Sequence, residues 1–94
     1  MKYALIGCGR IARNHLAAAV ACSLDLVAVC DLLPDAMHRL LTENGSAAMQ
    51  SPPRYTDHRR MLAEVSPQLV AIATDSGAHA QIALDCIAAI RLTQ

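Results

Sequence analysis

The stretch ALIGCGRIARNHL, residues 4–16, decides the fold because an apolar run leads into two glycines that flank a single residue. Gly7 and Gly9 are followed three residues later by Ala12, which completes the pattern G-x-G-x-x-A. In this pattern the first glycine permits a tight turn, the second lets backbone approach a phosphate, and the third small residue lets a helix pack closely on a sheet. Glycine turns are common, so the surrounding elements decide what this one means.

Strands and helices alternate around this turn. Residues 3–6 form a short apolar run that ends at glycine, which is typical of a strand buried on both faces. Further apolar runs are DLVAVC (25–30) and QLVAIAT (68–74), and RYT (54–56) is a candidate short strand. The order β-α-β-α-β-α-β-α predicts the α/β class: a Rossmann-like, doubly wound parallel sheet, incomplete, with about four strands and helices on both faces.

Helical spacing predicts the apolar face of each helix. Pro34 suits the first turn of the second helix, and Asp57 is a plausible N-cap of the third. Turn-forming residues make 44–53 the longest predicted loop. The predicted core-facing residues are Ala12, Leu16, Ala19 and Val20; Leu33, Ala36, Met37 and Leu40; His58, Met61, Leu62 and Val65; and Ala83, Cys86, Ile87 and Ile90.

Composition limits the function classes. Ninety-four residues make one small domain, 54% of the residues are apolar, and eight basic residues balance eight acidic ones. A chain with balanced charge lacks the basic surface that is typical of nucleic-acid binding proteins. No apolar run approaches the ~20 residues of a membrane span. The four cysteines form no C-x-x-C pair, which predicts small buried thiols in a reducing cytoplasm. No spacing of His, Cys or Asp predicts a metal site. We expect a cytoplasmic protein that binds neither nucleic acid nor membrane.

The glycine turn predicts a dinucleotide site because it follows a predicted strand and opens a predicted helix. The N–H groups near Arg10 and Ile11 would point at the pyrophosphate, whose charge the helix dipole favours. Asp31 ends the second strand, about 20 residues on, where a carboxylate accepts hydrogen bonds from the adenosine ribose. A 2′-phosphate would meet a like charge there, so NAD is favoured over NADP. Ala12 in place of a third glycine also occurs in NADP binders, but this difference only adjusts packing.

Two other interpretations of the turn remain open. It could be a purely structural βαβ turn in which Asp31 only caps or solvates the next helix. It could also hold S-adenosylmethionine, although Ile6 stands just before the first glycine, where an acidic residue would support that ligand.

Four ordered segments give the chain a family resemblance: IGCGRIARNHL, LVAVCDLLPDAM, YTDHRRML and LVAIATDSGAHAQIALDCIAA. From about residue 2 to residue 89 the chain resembles the N-terminal domain of the Gfo/Idh/MocA oxidoreductases. Asp75 stands where that family usually has proline, and Leu33 where it often has a polar helix cap. The resemblance implies that the pyrophosphate is lined by Gly7, Gly9, Arg10 and Ile11, that the ribose is held by Asp31, and that the segment towards the nicotinamide carries Thr74, Ser76 and His79.

The resemblance also implies what the chain lacks. Relatives continue with a fifth strand, a Glu-Lys-Pro turn with a catalytic lysine, and a substrate domain that carries an acid and a histidine. Here IRLTQ closes the sequence instead. We therefore expect residues 1–94 to be a truncated dinucleotide-binding domain of a sugar or nucleotide-sugar oxidoreductase, without catalytic residues and inactive alone.

Two further hypotheses come from other classes. The chain could be a stand-alone nucleotide-sensing or protein-interaction module, because residues 68–74 would form an apolar strand at a sheet edge, open to self-association. It could also be a relic that barely folds and binds nothing, since so short a chain buries only roughly 60–68% of its unfolded surface.

Overall fold

The computed structural model describes residues 1–9, 11–44, 52–74 and 76–93, and among these not the side chains of residues 44, 76 and 90–93. The strands and helices alternate as expected. They are β1 (Lys2–Ile6), α1 (Ala12–Ala21), β2 (Asp25–Cys30), α2 (Pro34–Asn44), β3 (Arg54–Tyr55), α3 (His58–Val65), β4 (Leu69–Ile72) and α4 (Ser76–Thr93).

The four strands form one sheet in the order β3-β2-β1-β4, and every pair is parallel. The predicted fold class, a Rossmann-like α/β sheet, is confirmed. The chain moves outward from β1 to β2 and β3, then crosses back to place β4 on the other side of β1. Ligands of open α/β sheets bind outside the carboxyl ends of the strands where the strand order reverses. This topology therefore directs attention to the turns after β1, β2 and β4.

The sheet is covered on both faces, which explains the continuous apolar character of β1. Side chains of successive strand residues point to opposite faces. Tyr3 and Leu5 belong to one buried cluster with residues of α1 and α2. Ala4 and Ile6 belong to a second cluster with residues of α3 and α4. The chain thus has two thin aliphatic layers, one on each face of the sheet.

The helix starts follow local chemistry. Pro34 is the first residue of α2, where its missing N–H costs nothing. The side chain of Asp57 caps α3 by accepting a hydrogen bond from the backbone N–H of Arg59 at 3.0 Å. The predicted cap is confirmed. α2 extends to Asn44, so it takes in the first residue of the predicted loop; residues 45–51 of that loop lie outside the described residues.

Three predicted core positions are wrong. Val20, Leu33 and Ile87 are 47%, 66% and 54% exposed. Val20 lies in the last turn of α1, beyond the edge of the sheet-facing stripe, and Leu33 precedes α2 rather than belonging to it. α4 is apolar on most sides, so spacing alone did not select Ile82, which is buried together with Cys86. Ile90 lies outside the residues whose side chains are described.

The strand predicted over residues 68–74 is shorter at both ends, since β4 covers Leu69–Ile72. Gln68 still extends the ladder: its N–H donates to the carbonyl of Lys2, and its side-chain Oε1 accepts from the N–H of Lys2, both at 2.9 Å. Within the described part of the chain, β4 pairs with β1 alone. It is therefore an edge strand, as expected.

Candidate functional site

Gly7 makes the turn between β1 and α1. Its φ is +96°, a conformation that L side chains rarely adopt. Its N–H donates to the carbonyl of Cys30 at 2.7 Å, which ties the turn to the end of β2. A Cβ at this position would lie 2.6 Å from the carbonyl carbon of Ala73, at the end of β4. Both the backbone conformation and the close approach therefore require glycine.

Gly9 is a glycine for a different reason. A Cβ placed on Gly9 would meet nothing within 4 Å, so the surrounding protein leaves room for a side chain there. α1 starts three residues later, where Ile11 is the N-cap without a side-chain hydrogen bond and the first turn carries no acidic residue. The positive end of the helix dipole is thus left uncompensated by these described residues. The open backbone surface at Gly9, the Gly9 ledge, therefore suits an anion.

Asp31 follows β2 and joins the two turns beside it. Its Oδ2 accepts a hydrogen bond from the N–H of Cys8 at 2.7 Å, and its Oδ1 accepts one from the N–H of Leu33 at 2.8 Å. Its own N–H donates to the carbonyl of Tyr55 at 3.0 Å. An ionised carboxylate has about four acceptor positions, so two bonds leave capacity for a ligand hydroxyl. Asp31 therefore fixes the glycine turn and still offers acceptors.

The thiols next to this carboxylate are poor nucleophiles. Burial raises the pKa of Cys8 to about 12, and the charge of Asp31 adds to the effect. Burial and the same charge raise the pKa of Cys30 to about 11. The four cysteines are free; three are buried as expected, but Cys22 is exposed because it caps the carboxyl end of α1. The prediction was therefore wrong for Cys22.

The turns after β1, β2 and β4 enclose one cleft of about 660 Å³. Thr74 lies on its wall, and its Oγ1 is buried without a hydrogen-bond partner among the described residues. A buried hydroxyl without a partner is costly, and a bound ligand could supply one. The lining residues are Ile6, Gly7, Gly9, Cys30, Asp31, Leu32, Leu33, Thr56, His58, Ala73, Thr74, Ala78, Gln81 and Ile82.

The cleft brings together only part of the predicted site. Gly7, Gly9, Asp31 and Thr74 line it, and Ile11 is half-exposed at the start of α1. His79 is exposed on α4 and is not among the lining residues. Ser76 begins α4, but its side chain is not described, and Arg10 and Asp75 lie outside the described residues.

Sequence reasoning missed three polar residues of the cleft: Thr56, His58 and Gln81. Helical spacing predicts His58 on the apolar face of α3, and its side chain is 21% exposed. Its Nε2 lies 2.7 Å from Oδ2 of Asp85 on α4. The carboxyl end of β3 meets the same sheet edge as those of β1 and β2, and this could have pointed to Thr56 and the start of α3.

Among the residues that the structure describes, no helix is long and apolar enough to cross a bilayer. In the same residues, no group of three or more His, Cys, Asp or Glu side chains is arranged to hold a metal ion.

Comparisons with known proteins agree with this geometry. Residues 1–91 match the model of an oxidoreductase family, GFO_IDH_MocA, described as an NAD-binding Rossmann fold. A search of curated protein sequences gives no match.

Solved structures align with nearly the whole chain but with only a part of their own. A WlbA dehydrogenase from Chromobacterium violaceum, solved with NADH and UDP-GlcNAcA, is 31% identical with a TM-score of 0.80, covering 95% of this chain and 25% of its own. An Agrobacterium radiobacter oxidoreductase, solved with NAD+, L-tartaric acid and magnesium, is 28% identical with a TM-score of 0.79 over the same shares. The scyllo-inositol dehydrogenase of Lactobacillus casei, at 22% identity and a TM-score of 0.75, covers 96% of this chain and 26% of its own and shares the fold.

The chain thus spans about a quarter of the length of these proteins. The family model, in contrast, covers nearly all of its residues. The chain belongs to the Gfo/Idh/MocA oxidoreductase family, as its NAD-binding Rossmann domain.

Proposed function

We propose that the cleft binds NAD, with the pyrophosphate on the ledge at Gly9 and the adenosine ribose against Asp31. The observation that carries this proposal is that the open space at Gly9 lies next to Cys8, whose N–H donates a hydrogen bond to the Asp31 carboxylate. The partnerless hydroxyl of Thr74 adds a group that a bound cofactor could satisfy. Arg10, Ile11, Ser76 and His79 complete the proposed set by family resemblance. When bound, NAD supplies a hydride acceptor.

We propose NAD rather than NADP because of the charge at the ribose end. Both oxygens of Asp31 are held in place by backbone N–H groups, so the carboxylate cannot easily turn away from a 2′-phosphate. Like-charge juxtaposition costs several kcal/mol. The lining residues that follow Asp31 are Leu32 and Leu33, which offer no compensating cation.

Replacing Asp31 by alanine is expected to weaken NAD binding by roughly 1.5–3 kcal/mol, since hydrogen bonds to a charged group are lost. Affinity for NADP should rise, because the charge that opposes the 2′-phosphate is removed, so the preference for NAD over NADP narrows. The measurement is calorimetric titration of the 94-residue chain with both dinucleotides. Asp25→Ala is the control, because Asp25 lies exposed at the opposite end of β2. Unchanged NAD affinity in Asp31→Ala would show that the ribose lies elsewhere.

We further propose that the chain supplies cofactor binding for oxidation of a sugar or nucleotide sugar and does not turn over substrate alone. The solved relative with UDP-GlcNAcA supports the nucleotide-sugar class. The sequence has one lysine, Lys2, and it lies at the start of β1, at the end of the sheet away from the cleft. No lysine of these 94 residues can therefore serve at the nicotinamide. We place the protein in the cytoplasm, where the buried Cys8, Cys30 and Cys86 would stay reduced.

A second candidate function is interaction through β4. An apolar edge strand presents unpaired N–H and C=O groups that can pair with another chain. Leu69 on this strand is 42% exposed. We propose that β4 mediates self-association, which would suit a stand-alone nucleotide-sensing or interaction module.

Substitution of Leu69 by lysine tests this second candidate. Charge on an edge strand opposes strand pairing, so we expect Leu69→Lys to shift the chain towards monomer in sedimentation velocity. Val20→Lys, an equal change at an exposed position of α1, should leave the association unchanged. A wild-type chain that sediments as a monomer at high concentration would contradict the proposal.

A further inference from the structure

Asp85 organises one wall of the cleft. Its Oδ2 accepts from Nε2 of His58 at 2.7 Å and from Nε of Arg59 at 3.2 Å, while its Oδ1 accepts from Nε2 of Gln81 at 3.0 Å. The cluster joins the start of α3 to α4. His58 and Gln81 both line the cleft, whereas Asp85 stands behind them. These polar contacts are not used by the diphosphate or ribose positions proposed above.

The position of this cluster along the cleft follows from the topology. In a dinucleotide the base continues from the ribose away from the diphosphate. If the diphosphate lies at the turn after β1 and the ribose at Asp31 after β2, the base lies further towards β3 and the helix that follows it. That helix is α3, and His58 is its first residue. Leu32, which is 83% exposed and lines the cleft, offers an apolar surface at the same end.

Asp85 also determines which ring atoms donate. An ionised carboxylate only accepts hydrogen bonds, so the Nε2 that faces it must carry hydrogen. Hydrogen bonds from His58, Gln81 and Arg59 lower the pKa of Asp85 and keep it ionised. In a neutral imidazole the other nitrogen is then a bare acceptor. The amide of Gln81 is fixed in the same way, because its NH₂ group donates to Asp85 and leaves Oε1 as the free acceptor.

We propose that His58 and Gln81 recognise the 6-amino group of adenine, with Asp85 as the positioning residue that holds both as acceptors. Adenine carries an NH₂ donor at this position, whereas hypoxanthine carries an oxygen acceptor. Nδ1 of His58 and Oε1 of Gln81 have no partner among the described residues. The cleft wall therefore accepts from the adenine amine and opposes the hypoxanthine oxygen. The inference rests on the proposed binding of NAD.

The test compares NAD with nicotinamide hypoxanthine dinucleotide, in which an oxygen replaces the 6-amino group and N1 carries a hydrogen. Calorimetric titration of the 94-residue chain at about pH 8.5, above the usual titration range of imidazole, should give at least about fivefold tighter binding of NAD, as expected for one hydrogen bond. In Asp85→Asn the side-chain amide can donate to Nε2 of His58, and the imidazole can then present Nδ1–H. The ratio of the affinity for NAD to the affinity for the hypoxanthine dinucleotide should therefore fall towards one. His58→Phe should have the same effect on the ratio.

His38→Phe is the matched control, because His38 is exposed on α2 and does not line the cleft. Its ratio should equal that of the wild type. Melting temperatures identify any variant that fails to fold, and Asp85→Asn, which keeps the side-chain shape, then carries the test. Equal binding of both dinucleotides by the wild type, or an unchanged ratio in Asp85→Asn, would overturn this inference and leave the NAD site standing. Failure of the wild type to bind NAD would overturn both.

Discussion

Gly9→Val is expected to lower the affinity for NAD by about 100-fold while the chain stays folded. A hydrogen bond from backbone to a charged group contributes about 1.5–3 kcal/mol, and a side chain that displaces the diphosphate removes at least one such bond. The fold should tolerate the change because a Cβ on Gly9 would meet nothing within 4 Å. Calorimetric titration gives the affinity, and thermal unfolding gives the stability.

The control for this variant is Ala18→Val, which adds a similar volume to the exposed face of α1. It should bind NAD as the wild type does. If Gly9→Val keeps wild-type affinity and a wild-type melting temperature, the diphosphate does not lie on this turn. The proposed cofactor position would then be wrong, whatever the fold resembles.

Gly7→Ala is expected to have the opposite signature and to destabilise the chain by about 2–5 kcal/mol. A residue with a Cβ at φ +96° is strained by roughly 1–2 kcal/mol. The added methyl carbon would also lie 2.6 Å from the backbone of Ala73, and overpacking of this kind costs typically 1–3 kcal/mol. Small domains have only about 5–15 kcal/mol to lose.

Urea unfolding measures this loss, and Gly9→Ala provides a matched control two residues away. The same methyl group at Gly9 enters open space, so its effect on the unfolding free energy should stay within about 0.5 kcal/mol. Equal stability of the two alanine variants would contradict the described turn. Comparison of Gly7→Ala with Gly9→Ala distinguishes Gly7, which the turn requires, from Gly9, which is proposed to face the ligand.

Sequence patterns predicted the sheet well because local signals were strong. β2 occupies Asp25–Cys30, the same residues as its apolar run, since both faces of the strand are covered and no polar residue interrupts it. The cap at Asp57 follows from a short-range rule that needs no knowledge of the tertiary fold. The turn at Gly7 and Gly9 combined several local signals: an apolar strand, a glycine pattern and a helix.

The remaining features depend on tertiary placement. α4 has apolar residues on most sides, so periodicity cannot tell whether Ile82 or Ile87 meets the sheet; the neighbouring α3 decides it. His58 and Asp85 are 27 positions apart on different helices, and no local pattern links them. The sequence likewise places Gly7 and Gly9 in one motif, but the positive φ of Gly7 and its close approach to the backbone of Ala73 distinguish their roles.

The raised pKa values of Cys8 and Cys30 protect the glycine turn from oxidation. Peroxides and alkylating electrophiles attack thiolates rather than thiols. With pKa values of about 12 and 11, Cys8 and Cys30 hold on the order of one thiolate in ten thousand molecules or fewer at neutral pH. Oxidative damage should therefore fall first on the exposed Cys22, at the far end of α1. The glycine turn and the end of β2 should therefore be oxidised more slowly than Cys22 under oxidant stress.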